Sequence, residues 1–152
     1  MKQTIVAALL VILSFQASAQ NKTANSIDYK TAVGLKLWDG GGITLKTFFK
    51  EDRALEFIGF FNRYGTRITG LYEFHGDLNT EGNLKWYMGG GGHVGLYKLN
   101  NTIIGIDGVI GIDYKFNNMP LNLALDWQPS FEFYKGYGFS GNWGGLAVRY
   151  TL

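Results

Sequence analysis

From Tyr29 to Leu152, apolar side chains recur at every second position in eight stretches separated by turn clusters. Neighbouring side chains on a strand point to opposite faces, so this pattern predicts strands with one apolar face and one different face. No helical period competes with it. Tyr29 to Trp38 sets Tyr29, Thr31, Val33, Leu35 and Leu37 against Lys30, Ala32, Gly34, Lys36 and Trp38. The second stretch sets Ile43, Leu45, Thr47 and Phe49 against Thr44, Lys46 and Phe48. The third, Ala54 to Arg63, is the least regular: Leu55, Phe57 and Phe61 oppose Glu56, Ile58, Phe60 and Asn62. The fourth sets Ile68, Gly70, Tyr72 and Phe74 against Arg67, Thr69, Leu71, Glu73 and His75. In the fifth, Leu84, Trp86, Met88, Val94 and Leu96 flank the run Gly89 to Gly92 and oppose Lys85, Tyr87, His93 and Tyr97. The sixth is the clearest, with Ile104, Ile106, Ile110, Ile112, Tyr114 and Phe116 on one face. The seventh runs from Leu121 to Phe133, and the last carries Leu146, Val148, Tyr150 and Leu152. Most approach the roughly 9–11 residues of a membrane-crossing strand.

The non-apolar face decides what such strands enclose. It carries Lys36, Lys46, Glu56, Glu73, Asp107, Asp113, Asp126 and Arg149 in mid-strand, mixed with Ala32, Gly34, Gly89, Gly91, Gly105, Gly111, Ala124 and Ala147. A water-soluble sheet would show more Lys, Glu, Ser and Thr there and fewer glycines. Small residues among opposite charges suit the narrow interior of an eight-stranded membrane barrel, whose apolar face meets lipid. Tyr29, Tyr72, Trp86, Phe116, Trp127 and Tyr150 near strand ends are the expected interfacial aromatics. The expected fold is therefore all-β, an antiparallel up-and-down transmembrane barrel of about eight strands. The rival is a secreted lipocalin-like barrel, with the apolar face lining a ligand cavity.

The N-terminus predicts export. Lys2 supplies a positive start, Thr4 to Phe15 is an uncharged apolar run, and Ala17-Ser18-Ala19 gives a small-x-small cleavage site. That layout predicts a signal peptide over residues 1–19. The run is shorter than the roughly 20 residues of a spanning helix. Residues 20–28 are expected to be a flexible periplasmic lead-in and 29–152 one barrel domain. The chain has no cysteine, which argues against a lipoprotein anchor and a disulfide framework. Its net charge of +2 offers no argument for nucleic acid.

Leu146, Val148, Tyr150 and Leu152 alternate to the last residue, resembling the terminal strand that outer-membrane assembly machinery recognises, although those strands usually end in Phe. Gly108 to Phe116, Pro120 to Pro129 and Gly145 to Tyr150 resemble the closing segments of small outer-membrane β-barrel proteins of Bacteroidetes, and the resemblance covers residues 103–152. At fold level the chain is also similar to small barrels of the OmpA and OmpX type. The resemblance implies a fold and an outer-membrane location, with membrane lipid and lipopolysaccharide as surroundings, rather than an activity.

Three features bear on chemistry. The inward charges read as an ion-pair network, with Arg149 to Asp126 as the specific pair expected, because guanidinium binds carboxylate with two parallel hydrogen bonds. Catalysis has little to build on: two histidines, His75 and His93, and two late serines, Ser130 and Ser140, in no recognisable motif. Two histidines without cysteine give no metal site, and Gly89 to Gly92 lacks the Lys-Ser/Thr of a phosphate loop, so no cofactor is expected. The loop Tyr134 to Asn142 and the residue after it place Tyr134, Tyr137, Phe139 and Trp143 as candidate outer contacts. The expected role is a structural or surface-interaction barrel, monomeric, with a mostly filled polar lumen and no enzymatic activity. A small-solute pore and a lipid-A-modifying enzyme are the alternatives.

Overall fold

The computed structural model describes residues 29–78, 83–98, 101–133 and 138–152. The expected signal peptide (1–19) and lead-in (20–28) lie outside the described residues. Among the described residues, ten strand segments follow one another: β1 (Thr31–Trp38), β2 (Gly40–Lys50), β3 (Arg53–Asn62), β4 (Gly65–Asp77), β5 (Leu84–Tyr97), β6 (Asn101–Lys115), β7 (Leu121–Trp127), β8 (Ser130–Glu132), β9 (Gly138–Ser140) and β10 (Gly144–Thr151). β7 and β8 lie along β6 in one register, with Gly111 opposite Asp126 and Asp107 opposite Ser130, so they are halves of one strand. The interruption falls at Gln128-Pro129, because proline lacks the N–H that a ladder needs. β9 pairs with β8 and β10 with β7, completing the last strand. The segments thus form eight antiparallel staves, and β1 on β10 closes the barrel.

The pairings determine the shape. From Lys115 on β6, the paired residue is Asn122 on β7, then Arg149, Gly34, Thr44, Ile58, Thr69 and His93. The path re-enters β6 at Gly105, ten residues from its start. With a shear of ten over eight staves, a rise of ~3.3 Å and a strand spacing of ~4.8 Å, the staves tilt by about 41° around a ring of about 8 Å radius. Such a ring has room for side chains and no more.

The two faces separate as the alternation predicts. Lys36, Lys46, Glu56, Glu73, Asp107, Asp113, Asp126 and Arg149 are all buried inside, while Leu35, Ile43, Ile68, Met88, Ile106, Ile110 and Leu125 are exposed outside. Phe49, Phe74 and Trp86 stand outside toward the chain-terminal end, and Trp38, Phe61, Tyr64, Phe131 and Phe139 toward the opposite mouth. From Ile104 to Tyr114 on β6 the outward side chains cover about 25 Å of height at that tilt.

Three placements differ from the alternation. Tyr29 precedes β1 and turns inward, edge-on to Phe48 at 5.4 Å, instead of joining the outer aromatics. Trp38, assigned by parity to the interior, is 57% exposed, because β1 ends there at the mouth and the ring folds over the rim. Residues 138–140, read as loop, form β9, since Phe139 pairs across from Phe131 as an aromatic cross-strand pair.

Candidate functional site: the barrel lumen

Two polar clusters fill the lumen. The larger is centred on Arg149. Its Nη2 donates to Glu56 Oε1 at 2.5 Å, its Nη1 to Asn122 Oδ1 at 3.1 Å and its Nε to Thr44 Oγ1 at 3.3 Å. Thr44 also donates to Glu56 at 2.5 Å. Lys46 Nζ lies 2.7 Å from Glu73 and 3.4 Å from Glu56, over the face of Tyr87. Lys36 and the Tyr87 hydroxyl both donate to Asp126 Oδ2 at 2.7 Å. His75 stacks on Tyr87, with Nε2 at 3.0 Å from Glu73 and Nδ1 at 3.8 Å from Asp113. The arrangement reflects strand parity: every one of these residues holds an inward position, and the barrel brings inward positions of distant staves together.

The second cluster lies nearer the mouth. Arg67 bonds Asp107 Oδ1, and its Nη1 is 3.7 Å from Glu132. His93 Nδ1 meets Asp107 Oδ2 at 2.7 Å, and Gln128 Nε2 donates to Asp107 at 3.3 Å. Trp143 closes this chamber, its ring 4.1 Å from the Arg67 guanidinium and edge-on to Phe60 at 5.5 Å. On β4, Leu71 stands between Glu73 and Arg67; on β6, Val109 stands between Asp113 and Asp107. With Ile58 they form a buried apolar layer between the clusters, continued by Phe60 on the mouth side and by the Tyr87 ring on the other. Each of Lys36, Lys46, Arg67 and Arg149 has a carboxylate partner, as burial of charge demands.

The expected Arg149–Asp126 pair is not made. Register puts Asn122 opposite Arg149 and Gly145 opposite Asp126, about 13 Å apart along the staves at ~3.3 Å per residue. Each charge instead finds its partner across the lumen, Arg149 on β3 and Asp126 on β1. Arg67, Thr44, Tyr87, Asn122 and Gln128 belong to the clusters but were absent from the charge set read from sequence. Their inward parity was visible; their participation was not. Of the candidate outer contacts, Phe139 is 69% exposed, Trp143 turns into the lumen mouth instead, and Tyr134 and Tyr137 lie outside the described residues. Trp143 turns inward because β10 begins only after it and Arg67 offers a cation to its ring face.

Ser130 Oγ and His93 Nε2 are both buried without a hydrogen-bond partner, so the two do not form a nucleophile–base pair. Among the described residues, no three His, Asp or Glu side chains converge as metal ligands. Replacing Tyr87 by phenylalanine keeps the stack on His75 and removes one bond to Asp126. A loss of about 1–2 kcal/mol in urea unfolding is expected. An unchanged midpoint would mean that Lys36 alone satisfies Asp126. Comparison with family models, with curated proteins and with solved structures returns no match to this chain.

Proposed function

We propose that this barrel is an integral outer-membrane protein with a closed polar lumen and a structural or surface-interaction role. The observation that carries the reading is the direction of the side chains on a closed eight-stave barrel. Charges occupy the interior, and an apolar band with aromatics toward both ends faces out. In hydrocarbon a closed barrel satisfies every ladder group, while an apolar exterior gains by leaving water. A lipocalin-like barrel uses the same number of strands but needs its apolar side chains around a cavity; here that space holds Arg149, Lys36, Lys46 and their carboxylates. The filled interior favours a structural barrel over a small-solute pore, since open channels need roughly 16–18 strands.

The even number of staves puts both ends of the barrel domain on one side, which in this reading is the periplasm. The β1–β2 and β3–β4 turns, with Trp38 and Tyr64, then face the lipopolysaccharide. These turns are short, which leaves little surface for a large adhesin. Lipid and lipopolysaccharide are the partners this surface suits, with the assembly machinery engaged at insertion. Among the described residues, closure leaves only the three-residue β9 unpaired on one side, an edge too short to drive oligomers.

The test is a heat-modifiability gel on the membrane fraction, paired with planar-bilayer recording. A mobility shift on boiling with no steady conductance is expected. Unchanged mobility would count against a membrane barrel, and steady openings of general-porin size would replace the closed lumen by a pore.

A further inference from the structure

We propose that Trp38 and Trp127, on the outer surface, latch Trp143 as a plug over a blind polar vestibule. Residues 141–143 lie between β9 and β10, where no strand ladder engages them. Their three successive carbonyls are nevertheless all bound. Trp127 Nε1 donates to Gly141 O at 2.9 Å, Trp38 Nε1 to Asn142 O at 2.6 Å, and the Gln128 backbone N–H to Trp143 O at 2.9 Å. An indole has a single donor. Two tryptophans on separate staves, both about half exposed, direct theirs to adjacent carbonyls of this short segment. The segment then enters β10 through Gly144 and Gly145, whose φ values of 156° and 151° suit glycine.

Beneath the plug the chamber is not fully satisfied. Arg67 Nε, Arg67 Nη1, His93 Nε2 and Ser130 Oγ are buried without hydrogen-bond partners. Polar atoms left so are costly unless water or a small polar solute reaches them. The floor is the apolar layer of Ile58, Leu71 and Val109, so a solute entering at the mouth stops there. The geometry therefore describes a vestibule that exchanges with the outside when the latch lets go, and that leads nowhere. This depends on the closed barrel and not on the membrane around it.

The chain has no cysteine, so a single reporter is clean. Ser130→Cys is placed in the refolded barrel in detergent, and its modification by a small charged methanethiosulfonate is timed. Trp38→Phe with Trp127→Phe keeps an aromatic ring at each position and removes both donors; losing two neutral hydrogen bonds should raise the open fraction, and hence the rate, about 30-fold. Trp143→Ala should raise it at least as much. Leu71→Cys, in the floor, should stay unmodified in every background. A double-Phe variant that labels no faster overturns the latch, and labelling of Leu71→Cys overturns the blind end. If Ser130→Cys does not fold, amide exchange at Gln128 is read in the native-cysteine-free chain: the double-Phe variant should lose its protection, and retained protection counts against the latch. A barrel that labels as expected but shows no membrane association would leave the latch standing and remove the functional reading.

Discussion

Replacing Arg149 by methionine is expected to cost the barrel on the order of 3–5 kcal/mol, the range for breaking a buried ion pair from one side. Arg149 is fully buried, and its three donor nitrogens serve Glu56, Asn122 and Thr44. Methionine fills much of the same volume, so the loss comes from the groups left behind. Glu56 keeps Lys46 at 3.4 Å and the Thr44 hydroxyl, and Lys46 is already engaged more closely by Glu73. A second substitution distinguishes this account from simple loss of packing. Glu56→Gln added to Arg149→Met should recover a large share, because the unpaired charge is gone. Asp126→Asn added instead should only add its own cost, since Asp126 belongs to Lys36 and Tyr87. Urea unfolding in detergent, followed by tryptophan fluorescence, measures these three variants, and Asp126→Asn alone, against the parent chain. Recovery by Asp126→Asn and not by Glu56→Gln would show that the partners are assigned the wrong way round.

Gly91→Ala should prevent the barrel from closing, whereas Gly90→Ala one residue away should leave it folded. A Cβ on Gly91 would stand 1.8 Å from the carbonyl oxygen of Gly70, and backbone cannot give way by that much without breaking the β4–β5 ladder. A Cβ on Gly90 meets nothing nearer than 3.3 Å. The two differ only in the face they occupy. In a ring this narrow the neighbouring stave presses close on the inward face, while the outward face opens toward the surroundings. Gly34, whose Cβ would stand 1.9 Å from Val148 O, should behave like Gly91, and Gly108 like Gly90. The heat-induced gel shift after refolding reads the outcome. A normally shifting Gly91→Ala would mean that the staves are less tightly coiled than described.

The alternation determined much of this protein by itself. Side-chain direction along a strand is a local property, so Ile104 to Ile112 on one side and Asp107 to Asp113 on the other could be separated from sequence, along with the small residues beside the charges. The number of staves followed from counting turn clusters. Parity failed where strands end: Tyr29 and Trp38 left their assigned faces, and Trp143 turned inward once the chain was free of the ladder. Partner choice in the lumen was beyond local pattern altogether. Lys36 reaches Asp126 ninety residues away, and Arg149 reaches Glu56 ninety-three away, because a shear of ten carries each stave past its neighbour before the ring closes. Which residues point inward is a matter of period two; which of them meet is decided by the tilt and radius of the closed barrel, quantities that exist only after all eight staves have paired.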